Sequence, residues 1–121
     1  MITRKHMNAL AGMFNSMLLD VDRKYSAVYA QMDLALDQND NHALDGVIDT
    51  CKVMLEQFIG ARMAIDELIG QHMSEWFSDQ NERFDVGRWS NACYDNVPFR
   101  GGLAVAHHRT DEMMRALNNA N

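Results

Sequence analysis

Apolar residues recur every three or four positions between residues 7 and 72 of this chain. Residues at such spacings lie on one side of an α-helix. We therefore predict helix 1 over residues 3–37, with Thr3 as its N-cap. The first apolar face alternates spacings of four and three and contains no charged residue: Met7, Ala11, Phe14, Leu18, Val21, Tyr25, Val28, Met32 and Ala35.

The spacing resumes after the polar stretch 38–41 and predicts helix 2 over residues 42–78. A connection this short must fold the second helix back on the first, which predicts a long antiparallel, coiled-coil-like helical hairpin. A glycine inside a helix costs about 1 kcal/mol relative to alanine, and we treat Gly60 as a candidate bend. The predicted face of helix 2 consists of Leu44, Val47, Cys51, Met54, Phe58, Ala61, Ile65, Leu68 and His72.

A second apolar set runs beside each predicted face, and a two-helix hairpin alone would leave it in water. Such a stripe is a liability unless something covers it. The C-terminal segment looks too short for its whole length, so we expect a homodimer in which two hairpins form a four-helix arrangement. The second set contains Leu10, Met13 and Met17 on helix 1, and Ile48, Leu55, Ile59, Met63, Ile69, Met73, Trp76 and Phe77 on helix 2.

The helical periodicity stops at residues 78–85, and two shorter helices are predicted beyond it, over residues 85–95 and 103–118. Pro98 and the pair Gly101 and Gly102 separate them. We predict one all-α domain over residues 1–121, a long hairpin with two short helices at its base. No apolar run reaches the ~18 residues of a membrane span, and no signal-peptide core follows the N-terminus. We expect the protein to stay in the compartment where it is made.

The formal charge of −6 is unevenly distributed along the sequence. Residues 33–82 hold eleven acidic and two basic residues, a net −9, whereas the preceding and following segments carry +2 and +1. An acidic surface repels nucleic acid, so we expect no direct nucleic acid binding. The segment is either a solvated face or a surface for a basic site on a partner. The hairpin brings five of its carboxylates to one end, the acidic tip: Asp33, Asp37, Asp40, Asp45 and Asp49.

Two short motifs resemble a class of small proteins encoded by bacteriophages and prophages. The first is Thr-Arg-Lys-His followed by Ala-Leu-Ala, within residues 3–11. The second is Trp-Phe-x-x-x-Asn-x-Arg-Phe-Asp-x-x-Arg-Trp-x-x-Ala-Cys, over residues 76–93. The acidic hairpin between them and everything after Cys93 depart from that pattern. The resemblance implies a viral origin, and hence a location in the host bacterial cytoplasm, but it implies no particular activity.

The second motif has two interpretations. Phe84 and Trp89 are large apolar groups flanked by Arg83 and Arg88, which suits a packed corner that closes the base of the hairpin against the start of helix 1. Tryptophan and arginine are also enriched at interface hot spots, which suits a partner-binding surface. Both interpretations stay open at the level of sequence.

Catalytic and metal-binding patterns are missing from the sequence. No two of the five histidines have the i, i+4 spacing of a helical zinc pair, and no Glu-x-x-His of di-iron bundles occurs. The serines lack a sharp-turn context, and Cys93 has no located histidine partner. We therefore expect no enzyme activity, no cofactor and no metal.

We therefore favour a non-enzymatic phage protein that binds and inhibits a host protein or ribonucleoprotein complex. The acidic surface and the missing catalytic patterns fit this role, and the resemblance to phage proteins supports it. Anti-CRISPR and other anti-defence proteins act in this way, and the acidic helical surface would be the contact. The alternative is a phage structural or assembly protein that uses the hairpin for oligomerisation.

Overall fold

Two long antiparallel helices form the body of the molecule, and a short helix packs at their base. The computed structural model describes residues 3–37 and 41–98, the side chains of residues 36, 37 and 41–45 excepted. The elements are α1 (Arg4–Asp37), α2 (Asn41–Glu67), a π-helical turn (Leu68–Met73), α3 (Ser74–Gln80) and α4 (Val86–Cys93). The predicted all-α hairpin is thus confirmed. The predicted helix over residues 103–118 lies outside the described residues.

The apolar face predicted for helix 1 is the face that α1 turns toward the rest of the protein. Ala11, Leu18, Tyr25 and Met32 on this face are buried, and Phe14 is half-buried. An uninterrupted spacing over 34 residues leaves one way to orient the helix.

The buried face predicted for helix 2 is wrong in part, because the helix is rotated toward the second apolar set. The two sets lie side by side, and the observed orientation buries large groups of the second set together with Cys51 and Ile65 of the predicted face. Burial of larger apolar groups stabilises the fold more. From the second set Leu55, Ile59, Ile69 and Phe77 are buried, whereas Val47, Met54, Ala61, Leu68 and His72 of the predicted face are exposed.

The interior is divided into two clusters along the hairpin. Phe14 packs against the first and Phe58 against the second, both half-buried. The base cluster contains Ala11, Leu18, Ile65, Ile69, Phe77, Trp89, Cys93 and Val97, and the distal cluster contains Tyr25, Val28, Met32, Cys51, Leu55 and Ile59.

The π-helical turn Leu68–Met73 connects α2 to α3, and its backbone contacts α4. A π-turn widens the backbone hydrogen-bond ladder by one residue. The Ile69 carbonyl accepts a hydrogen bond from the Ser74 hydroxyl at 2.8 Å and another from the Trp89 indole N–H at 3.0 Å. The irregularity lies here and not at Gly60, which is inside the regular α2.

A charged layer separates the two clusters. Arg62 is 0% exposed and follows Ile59 of the distal cluster on the buried side of α2. Its Nε donates to Asp66 Oδ1 at 3.0 Å, and the Tyr94 hydroxyl donates to the same oxygen at 2.5 Å. The guanidinium carbon lies 5.7 Å from the centre of the Tyr94 ring. Burial raises the pKa of Asp22 on α1, and the charge of Arg62 opposes that rise.

The layer predicts opposite outcomes for two substitutions that each remove one carboxylate charge. Asp66→Asn should lower the free energy of unfolding by about 3 kcal/mol, because it leaves a buried guanidinium without its carboxylate. This is the low end for a broken buried pair, since the Asp66 side chain is 28% exposed. Asp22→Asn should hold or raise the melting temperature at pH 7, because burial penalises the ionised form of Asp22.

Thermal unfolding followed by circular dichroism at pH 7 and pH 3 tests both. Any gain from Asp22→Asn should disappear at about pH 3, where Asp22 is protonated in both the folded and the unfolded chain. Equal destabilisation by the two variants at pH 7 would contradict the assignment.

Candidate functional site

The two sequence motifs meet in a cleft at the base of the hairpin, here called the base cleft. Its volume is about 360 Å³. One wall is the start of α1, and the other is the loop before α4 together with α4 itself. The lining residues are Arg4, Met7, Asn8, Ala11, Asn81, Arg83, Phe84, Asp85, Arg88, Trp89 and Ala92.

The first wall depends on a cap at the start of α1. The Thr3 hydroxyl accepts a hydrogen bond from the His6 N–H at 3.4 Å, and the Thr3 N–H donates to His6 Nδ1 at 3.3 Å. This reciprocal pair has the form of a capping box, with histidine where Glu or Gln is usual. The predicted N-cap role of Thr3 is confirmed. Arg4 follows the cap and lines the cleft, although a cation is disfavoured at this end of a helix.

The second wall is shaped by two polar side chains that bind the backbone. Asn81 Oδ1 accepts from the Arg83 N–H at 3.0 Å, and Asp85 Oδ1 accepts from the Arg88 N–H at 3.1 Å and so caps α4. Gly87 leaves room for that cap, because a Cβ there would lie 3.3 Å from Asp85 Oδ1. The caps therefore set where Arg83 and Arg88 leave the backbone.

Aromatic side chains form the floor of the base cleft. Trp89 is 3% exposed, with its ring centre 4.9 Å from that of Phe77 and 5.9 Å from that of Phe14. The Phe84 ring lies 5.3 Å from that of Phe77. The aromatic residues of the motif thus pack the corner against α1, as one interpretation of the sequence had it, while Arg83 and Arg88 are exposed.

A side chain that sequence analysis missed clamps the end of α4. Asn15 Nδ2 donates to the Cys93 carbonyl at 2.9 Å and to the Asp95 carbonyl at 2.7 Å. The last carbonyls of a helix lack partners within it, so Asn15 satisfies them from α1. The only available signal was an amide beside the apolar face. The chain then turns through Asn96, whose φ of 58° is a left-handed value that asparagine tolerates.

The base cleft carries an excess of positive charge. Arg4, Arg83 and Arg88 are exposed, and none of them forms an ion pair with a carboxylate within the described part of the chain. The Asp85 carboxylate also lines the cleft. Three guanidinium groups therefore face one carboxylate.

The acidic tip is described only in part. Asp33 on α1 and Asp49 on α2 are exposed. The side chains of Asp37 and Asp45, and all of Asp40, lie outside the described residues. The gathering of all five carboxylates at one end stays a prediction.

The described residues offer little for covalent or metal chemistry. Burial raises the pKa of the Cys93 thiol to about 12, which keeps it neutral and unreactive at physiological pH. Within residues 3–37 and 41–98 no three His, Cys, Asp or Glu side chains gather in a way that could hold a metal ion. No helix in the same ranges has the length and apolar character to cross a membrane.

Comparison of the chain with protein-family models, curated proteins and solved structures gave no match, so the site is interpreted from its own geometry.

The buried thiol predicts slow alkylation. In a Cys51→Ala variant, Cys93 is the only cysteine, and iodoacetamide at pH 8 should leave it unmodified for hours in the native protein. The same reagent should modify it within minutes in denaturant, because unfolding restores the ordinary thiol pKa. Intact-mass spectrometry over time measures the rate, and rapid native labelling would show that Cys93 is accessible.

Proposed function

We propose that this protein is a non-enzymatic, phage-encoded binding protein that inhibits a host protein complex, of the anti-CRISPR or another anti-defence type. Its acidic helical surface would occupy a basic surface of the target, of the kind that normally holds nucleic acid. The observation that carries the proposal is the burial of Arg62, which removes one of the two basic residues of segment 33–82 from the surface.

The exposed charge of the second long helix is therefore almost wholly negative. Arg62 is paired with Asp66 inside the protein, and Lys52 is half-buried. Among the side chains of segment 33–82 that the structure describes, the exposed carboxylates are Asp33, Asp49, Glu56, Glu67, Glu75, Asp79 and Glu82.

A rigid row of carboxylates suits recognition of a basic surface for two reasons. Complementary charge accelerates association and suppresses wrong partners. Helices that are already folded lose little conformational entropy on binding, which preserves affinity. The resemblance of both motifs to phage-encoded proteins supports the viral part of the proposal.

The proposal predicts that the tip carboxylates control association. The double variant Asp33→Asn with Asp49→Asn should slow capture of the target from bacterial lysate several-fold at low salt and flatten its salt dependence. A mixed-sequence DNA oligonucleotide should displace the captured target from the parent protein, because the DNA and the parent protein compete for the same basic surface of the target. Quantitative mass spectrometry of the captured proteins measures both effects.

A second variant, Glu75→Gln with Asp79→Asn, removes the same charge near the base and should slow capture less than the tip variant, because the tip is the proposed main contact. Identical capture by parent, tip variant and second variant, unaffected by DNA, would overturn the acidic-surface mechanism.

An alternative role, an assembly protein that oligomerises through the hairpin, is favoured by an exposed apolar groove. The groove is lined by residues of α1, the π-helical turn and α3, and it shares no lining residue with the base cleft. Met13 is 62% exposed, and Trp76, Met17 and Leu68 are exposed as well. We propose a second copy as its occupant. The groove lies between α1 and the segments that continue the second long helix, the π-helical turn and α3, so pairing two grooves about a twofold axis brings four helical segments together. Its lining residues are His6, Ala9, Leu10, Met13, His72, Met73 and Trp76.

The groove predicts which substitution gives a monomer. Met13→Glu should convert a homodimer to soluble monomer, because it places an unpaired carboxylate in a dry interface. Leu34→Glu is the matched control, since Leu34 is 60% exposed and lies outside both the groove and the second apolar set. Ile59, a member of the second apolar set, is buried within the chain, so a substitution there would not test the dimer interface. Sedimentation equilibrium decides, and a parent that sediments at 13.8 kDa refutes the dimer.

A further inference from the structure

We propose that the base cleft is a binding site for a small phosphate monoester. Arg4, Arg83 and Arg88 would bind the phosphate, and the organic group would lie on the floor made by Phe84 and Trp89. This inference is separate from the proposed inhibition of a host complex, because the acidic surface takes no part in it.

The fold, and not local sequence, brings the three arginines to one cleft. Arg4 comes from the first turn of α1, whereas Arg83 and Arg88 come from the loop before α4 and from α4. Like charges repel, so lining one cleft with three of them gains nothing for folding. A bound anion would turn the same arrangement into a favourable one.

The net positive charge of the cleft matches the negative charge of a phosphate monoester. The only carboxylate that lines the cleft, within the described part of the chain, is Asp85, and its Oδ1 already accepts a hydrogen bond from the Arg88 N–H. Three guanidinium groups against one carboxylate leave a surplus of two positive charges. A phosphate monoester carries a charge of about −1.5 to −2 near neutral pH, which fits this surplus better than a single carboxylate does. Guanidinium forks also match phosphate oxygens in bidentate geometry.

The volume and the lining of the base cleft suit a compact ligand. A cleft of about 360 Å³ is at the small end of ligand pockets. Met7, Ala11 and Phe84 give it apolar surface, and the Asn8 and Asn81 amides give it hydrogen-bonding groups. Exposed Asp79 and Glu82 lie close by in sequence, and their charge would repel a long polyanion. A compact phosphate with an apolar or aromatic body fits best.

The two tryptophans provide the measurement. Trp89 lines the cleft, whereas Trp76 lies in the separate apolar groove, and their indole N–H signals can be assigned with a Trp76→Phe variant. Titration with phenyl phosphate should shift the Trp89 signal saturably and leave the Trp76 signal in place. Phenol and inorganic phosphate, each carrying half of the proposed ligand, should bind more weakly. A Trp89 signal that does not shift in the millimolar range would overturn the proposal.

Variants of exposed arginines test the assignment of the phosphate contacts. Arg83→Gln or Arg88→Gln should weaken binding of phenyl phosphate about tenfold, the usual effect of losing a charge-assisted hydrogen bond. Arg23→Gln is the matched control, because Arg23 is exposed and pairs with Asp20 on α1. Its affinity should equal that of the parent, and an equal loss in all three variants would reveal non-specific charge attraction and overturn the site. Circular dichroism confirms that each variant is folded.

A last comparison distinguishes a free small phosphate monoester from the terminal phosphate of a nucleic acid strand as the ligand. Adenosine monophosphate should bind more tightly than adenosine and more tightly than a short 5′-phosphorylated oligonucleotide. An oligonucleotide that binds more tightly than the mononucleotide would overturn the assignment to a small ligand.

Discussion

The structure depends on one buried charge, the Arg62 guanidinium between the two long helices. A buried ion is tolerated only if partners in good geometry offset its desolvation. Asp66 supplies the counter-charge, Tyr94 donates to the same carboxylate, and Asp22 faces the guanidinium from α1. Arg62 and Asp66 lie on the same helix, and the hydrogen bond from the Tyr94 hydroxyl joins this pair to the end of α4. The register of α4 against the second long helix follows from that contact.

The base of the molecule is a consequence of that register. With Arg62 turned inward, Ile69 comes to face α4, and the π-helical turn leaves the Ile69 carbonyl open to the Trp89 indole. Tyr94 ties the far end of α4 to the charged layer, and Asn15 ties it to α1. With the middle of α4 held by Trp89 and its far end by Tyr94 and Asn15, Arg88 lines the same cleft as Arg4, so the geometry of the base cleft is set by contacts made elsewhere.

The sequence specified the first long helix far better than the second. On α1 one unbroken apolar face runs the whole length, with a second set only at Leu10, Met13 and Met17, so its orientation followed from spacing. On α2 two apolar sets lie side by side, and Arg62 between them has the pattern of a solvated charge. The choice between the sets depends on α4 and on the extra residue in the π-turn, neither of which leaves a periodic signal. The cap at Thr3 was predictable because it is local, whereas the convergence of Arg4 with Arg83 is set by tertiary structure.

The same buried arginine also explains why the surface divides by charge. Arg62 is neutralised internally, so it does not offset the carboxylates exposed along the hairpin, and that surface stays negative. At the base the three arginines stay exposed because Asp85, the carboxylate beside them, is occupied in capping α4. On the proposals made above, a basic partner would be attracted to the hairpin and repelled at the cleft, and a small anion would meet the opposite preference. Charge complementarity of this kind restricts how a partner can be oriented.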